Sequence, residues 1–177
     1  LCVLINMKIE FIKMKLKCAL LLLVTLFYTS IGNAQNYLDK ITGLSSTNAS
    51  VAYSLRQLST SYTGPLVRIK VGASFYDVYP DASTTKFSLS SKISAAISTY
   101  NAAVSVAGAN ALSTIISGST DATVAIWYDQ SGNGVHVLSS SATAKIITAG
   151  SILTMSGQPT IYFYGSSSFM TSSNSVN

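Results

Sequence analysis

The stretch Ala125-Ile126-Trp127-Tyr128-Asp129-Gln130-Ser131-Gly132-Asn133-Gly134-Val135-His136 constrains this chain more than any other. An apolar and aromatic run gives way to a polar, glycine-rich turn and then resumes. It reads as strand, turn, strand. Asn133-Gly134 supplies residues that tolerate positive φ, and Asp129 is suited to accept backbone N–H groups ahead of it. The stretch also holds the chain's single Trp and single His. Its plain reading is a connecting turn capped by Asp129, with Trp127 in the core and His136 structural. Its functional reading places Trp127, Asp129 and Asn133 at a carbohydrate site, with Trp127 as a stacking platform. A calcium site is a further expectation only if oxygen ligands besides Asp129 come from elsewhere.

The same punctuation recurs along the chain. Leu66 to Val71 alternates, with Leu66, Arg68 and Lys70 against Val67, Ile69 and Val71, which predicts a half-buried strand. Gly72-Ala73 turns it into a partner strand over Ser74 to Tyr79. Val124 to Tyr128, Val135 to Leu138, Ala144 to Thr148, Ser151 to Met155 and Thr160 to Tyr164 read as further short strands. Two segments carry helical spacing instead. Val51, Leu55, Leu58 and Tyr62, behind an Asn48-Ala49-Ser50 cap, predict one helix ended by Gly64-Pro65, and Ile93, Ala96, Ile97, Tyr100 and Val104 predict a second. Ala111 to Ile116 adds a further turn. Short strands between Gly, Ser and Asn turns argue for an all-β fold, a jelly-roll sandwich decorated by short helices. The last strand closes nothing, so the sandwich is expected to be truncated.

The first 34 residues are set apart from this pattern. Lys15 and Lys17 precede an apolar run, Cys18 to Tyr28, that is short for a membrane span, and Gly32-Asn33-Ala34 supplies small residues for cleavage. The expected organisation is therefore 1–34 as upstream residues and signal peptide and 35–177 as the folded part, secreted or at the cell surface and free of the membrane after cleavage. Both cysteines, Cys2 and Cys18, fall in the first segment. The folded part then has neither disulfides nor thiolate metal ligands. Its seven bases and five acids leave about +2 of the formal +5, and the bases are scattered, which gives no nucleic-acid footprint.

The usual catalytic constellations are missing from residues 35–177. A lone His136 cannot build a zinc site. There is no Glu in this part, and none of Asp39, Asp77, Asp81, Asp121 and Asp129 sits in a paired setting of the kind that glycoside hydrolysis needs. Asp77 and Asp81 are expected as solvated acids at a hairpin end. No Gly-x-Ser-x-Gly elbow accompanies the many serines. No catalytic residue is expected within the chain.

Three blocks, taken in order, carry a resemblance. They are Ala52-Tyr53-Ser54-Leu55-Arg56-Gln57-Leu58-Ser59-Thr60-Ser61-Tyr62-Thr63-Gly64-Pro65-Leu66-Val67-Arg68, then Trp127-Tyr128-Asp129-Gln130-Ser131-Gly132-Asn133-Gly134, then Ser156-Gly157-Gln158-Pro159-Thr160-Ile161-Tyr162-Phe163-Tyr164-Gly165. Together they resemble the N-terminal part of the catalytic domain of α-L-arabinofuranosidase B enzymes, glycoside hydrolase family 54. The third block is also similar to the opening strand of laminin-G-like and lectin-like modules. The resemblance implies a concanavalin-like β-sandwich and a retaining hydrolysis that releases arabinofuranose from plant-type polysaccharide, arabinan or arabinoxylan. It implies too that the nucleophilic Glu and acid Asp lie beyond this sequence, so the fragment itself is expected to be inactive. The alternative it leaves open is a non-catalytic concanavalin-like or laminin-G-like module for carbohydrate binding or adhesion.

Overall fold

The computed structural model describes Lys15, Asp39 and residues 49–139, 143–165 and 168–173. The chain divides into two units, Leu1–Ala34 and Gln35–Asn177, and the fold below is that of the second. The expected leader, Lys15 apart, and the Asn48 position of the expected helix cap lie outside the described residues. Among the described residues no helix is long and apolar enough to cross a membrane.

The fold is built of antiparallel strands. β1 (Val67–Val71) and β2 (Ser74–Val78) form a hairpin in full register, from Val71↔Ser74 to Val67↔Val78. The turn between them needs Gly72 at φ 59°, a conformation that costs glycine little. On its other side β1 pairs with β3 (Ala122–Trp127). A bulge leaves Ala125 unmatched between Arg68↔Ile126 and Ile69↔Val124. β4 (Val137–Leu138) and β5 (Lys145–Thr148) share the far edge of β3, one at each end. β6 (Ser151–Ile152) extends β5, and β9 (Thr171–Ser172) extends β4. β7 (Thr154–Met155) and β8 (Gln158–Pro159) form a separate two-stranded ribbon.

One face of the large sheet carries the apolar core. Val67, Ile69, Val78 and Val124 are fully buried there with Leu66, Phe87, Ile93, Leu112, Ile146 and Ile147. Cross-strand partners lie on one face of a sheet. Val78, Val67, Trp127 and Val137 therefore share the core side, whereas Asp77, Arg68, Ile126 and Leu138 share the other.

That second face departs from expectation. Alternation in β1 predicts a polar face open to water, yet Arg68 and Asp77 are both completely buried. The segment 100–105 covers them. Arg68 Nη1 donates to the carbonyls of Tyr100 (2.9 Å) and Ala102 (2.6 Å), and Nη2 donates to that of Ala103 (3.0 Å). Asp77 is thus no solvated hairpin acid. Asp81 is not one either: it is 7% exposed and accepts from Ser83 N–H, Ser83 Oγ and Ser88 Oγ at 2.6–2.8 Å.

Neither expected helix forms. Residues 51–62 and 93–104 contain no α-helix. Instead Arg56 bridges to Lys86, and Ile93 and Ile97 bridge to Val78 and Phe75 along β2. These segments satisfy their backbone groups from distant partners rather than within themselves. The turn expected over Ala111 to Ile116 is present as a 3-10 turn, Leu112–Thr114, with Leu112 in the core. The strand expected over Thr160 to Tyr164 reduces to a single bridge, Lys145↔Tyr162.

Candidate functional site

The loop that joins β3 to β4 is held from within by one carboxylate. Asp129 is 3% exposed. Its Oδ1 accepts the N–H of Ala52 (2.8 Å) and of Ser131 (2.9 Å), and its Oδ2 accepts Ser131 Oγ (2.7 Å) and the N–H of Val135 (3.2 Å). Burial alone would raise this carboxyl's pKa, but the bonds from Ser131, Ala52 and Val135 outweigh it and hold the group below the usual carboxylate range. Of the Asn133-Gly134 pair that tolerates positive φ, Gly134 adopts it, and Gly132 rather than Asn133 is the second such position.

His136 closes the loop. Its Nδ1 accepts the N–H of Asp129 (3.2 Å), and Tyr128 packs edge-on against it at 4.9 Å. Burial pushes the imidazole pKa down; the nearby Asp129 pulls it up without reversing the shift.

Two consecutive residues of this loop grip a segment far back in the chain. Gln130 is 1% exposed. Its backbone N–H donates to Ala52 O (2.7 Å), its Oε1 accepts the N–H of Leu58 (2.9 Å), and its Nε2 donates to the carbonyls of Ser54 (3.1 Å) and Arg56 (2.9 Å). With Asp129 on Ala52, the two side chains hold residues 52–58 extended. Asn133 adds to this hold: it is exposed, and its Nδ2 donates to the carbonyls of Ala49 (2.9 Å) and Ser50 (3.1 Å).

The segment so held forms one wall of a cleft of about 640 Å³, with Tyr53, Arg56, Lys86, Trp127, Gln158 and Phe163 among its lining. Tyr53 and Trp127 stand with ring centroids 5.8 Å apart, tilted by 46°. The Tyr53 hydroxyl donates to Val135 O, which ties this wall to the loop again. Trp127 is half-buried and packs against the core, and its indole N–H has no acceptor among the described residues.

The three residues singled out from sequence are therefore separated. Trp127 lines the cleft. Asp129 and Asn133 do not; they shape the loop behind it. The calcium expectation fares poorly on the donor set, because both Asp129 oxygens already accept protein N–H and O–H groups. Among the described residues no three of His, Cys, Asp and Glu converge. The other aspartates are also engaged: Asp39 with Ser59 and Thr60, Asp77 with Arg68, Asp81 with Ser83 and Ser88, and Asp121 with Lys145 at 2.7 Å. Tyr53, Arg56, Lys86 and Gln158 are not site candidates in the sequence, because nothing in one dimension brings positions so far apart to one cleft.

Comparison of the chain with protein-family models, with curated proteins and with solved structures returned no match.

Proposed function

We propose that this chain is part of a secreted, carbohydrate-active domain of the arabinofuranosidase type, a concanavalin-like sandwich, and that its own share of the work is to hold arabinose-containing polysaccharide. The observation that carries this reading is the cleft on Tyr53 and Trp127. Paired aromatic rings offer flat apolar surface to the C–H faces of a sugar ring, while Arg56 and Gln158 beside them offer hydrogen-bonding groups to its hydroxyls. Hydrolysis by the two-carboxylate route needs an acid and a nucleophile facing a scissile bond. The aspartates described above are bonded to groups of the chain itself, so binding rather than cleavage is the role assigned to these residues.

The test is affinity electrophoresis of the full chain through gels containing neutral arabinan or arabinoxylan. Retardation is expected, and Trp127→Ala and Tyr53→Ala should each abolish most of it. Unretarded migration of a folded chain in both polymers would reject the reading. Release of nitrophenol from a nitrophenyl arabinofuranoside by this chain alone would reject the division between binding and cleavage.

A further inference from the structure

The cleft is cationic in a way that its neutral target does not explain. Arg56 and Lys86 face each other across an isolated antiparallel bridge. The flanking hydrogen bonds, Gln57 N–H to Thr85 O and Phe87 N–H to Leu55 O, both 2.8 Å, make it a non-hydrogen-bonded pair, the kind that brings side chains closest. Leu55 and Phe87 turn into the core on one side, which sends Arg56 and Lys86 to the cleft on the other. Like charges directly opposite destabilise a strand pair. Among the described lining residues of the cleft none is acidic.

The local backbone holds this arrangement under strain. Thr85, immediately before Lys86, sits at φ 59°, a region that a β-branched residue rarely occupies. It is held there by the Asp81 turn, through Thr85 N–H to Asp81 O (2.7 Å) and Asp81 N–H to Lys86 O (2.9 Å). Arg56 is steadied by Gln130 on its carbonyl and by a long contact from its Nη2 to Gln158 Oε1 (3.4 Å).

We propose that the cleft takes an acidic, uronate-bearing polysaccharide, with a sugar carboxylate seated between Arg56 and Lys86 and a neighbouring ring on Tyr53 and Trp127. A guanidinium presents a planar fork that matches a carboxylate, and the ammonium beside it adds a second charge. The proposal rests on the cleft being a glycan site. It adds that the charge on the glycan is what the site selects.

The experiment measures affinity of the full chain for three polymers: neutral arabinan, glucuronoarabinoxylan, and the same glucuronoarabinoxylan after its carboxyl groups are reduced to hydroxymethyl groups. The native acidic polymer should bind tightest, and carboxyl reduction should weaken it by about fivefold. Lys86→Gln should cause a similar loss toward the acidic polymer and a clearly smaller one toward neutral arabinan, and Lys86→Arg should restore binding. Lys86→Gln also removes a like-charge contact, so a thermal midpoint no lower than that of the parent confirms that it is folded. Equal affinity for native and reduced polymers, unaffected by Lys86→Gln, would overturn the selection for charge while leaving a glycan cleft in place. Absence of binding to all three would overturn both.

Discussion

Asp77 receives Arg68 as a fork, Nε on Oδ1 and Nη2 on Oδ2, both at 2.8 Å, across directly paired positions of the first hairpin. The carboxylate also accepts the Tyr128 hydroxyl at 2.7 Å and the Ser105 N–H at 2.8 Å. One buried ion pair therefore ties β1, β2, the end of β3 and the covering segment 100–105 into one network.

Removing one member should be far worse than removing both. Arg68→Met strands a buried carboxylate and frees three carbonyls; Asp77→Leu strands a buried guanidinium. Each should cost about 3–5 kcal/mol in urea unfolding. The double variant should cost much less than the sum, the coupling expected of groups in contact. Additive losses would mean that the two residues act independently.

Gln130→Ala should act on the cleft from behind. It leaves the Leu58 N–H and the Ser54 and Arg56 carbonyls without their partner, at about 1–3 kcal/mol for a buried group so exposed. Amide exchange should speed up at Leu58 ahead of residues in β1. Glycan affinity should fall, although Gln130 is not among the cleft's lining. Unchanged exchange at Leu58 would show that the grip is not what orders the segment.

His136 should make stability depend on pH above the carboxylate range. Its folded-state pKa lies below the ordinary 6.5, so the unfolded chain takes up the proton first. The neutral ring's contribution is complete above about 6.5 and is lost as pH falls below that value. Protonation also removes the acceptor that Nδ1 offers to Asp129 N–H. His136→Gln should flatten the stability profile between about pH 5 and 7. A slope that persists in the variant would assign it to another group.

Asp81 governs a lower window. Burial raises its pKa, but hydroxyls of Ser88 and Ser83 and backbone N–H groups of Ser83 and Thr84 together hold it at about 2. A carboxyl depressed in the folded state stabilises fully above its unfolded value near 4 and ceases to do so as pH falls through about 2. Asp81→Asn should lower stability at neutral pH and lose part of the acid-induced decline over that interval. The measurement is the urea midpoint followed from pH 6 down to about 2.

Much of the strand framework was legible in one dimension. The Gly72-Ala73 turn sets the register of the first hairpin, and that register already places Arg68 opposite Asp77. Their burial was not legible, because the segment that covers Arg68 does so through backbone carbonyls of Tyr100, Ala102 and Ala103, which any sequence possesses. The helical spacing of Val51, Leu55, Leu58 and Tyr62 misled for a related reason. A helix satisfies its backbone locally, but here Ala52 and Leu58 are satisfied by side chains 77 and 72 residues away. In the other apparent helix, Tyr100 and Val104 are 41% and 50% exposed, so the apolar stripe buries only its first part. The capping geometry of Asp129 follows from its residue type and place in the turn, and its carboxylate accepts from Ser131 and Val135 there. The cleft itself was invisible, since Tyr53, Lys86, Trp127 and Gln158 meet only once the sheet and ribbon are in place.

The grip of Asp129 and Gln130 on residues 52–58 also sets an order of events during translation. The ribosome delivers Tyr53 and Arg56 long before the two side chains that align them. A nascent chain halted short of residue 129 already carries the first hairpin in full, yet its cleft wall has nothing to lie against. The wall is thus completed by the loop that follows β3, and a growing chain acquires its cleft only after residues far beyond that wall, Gln158 and Phe163 among them, have emerged.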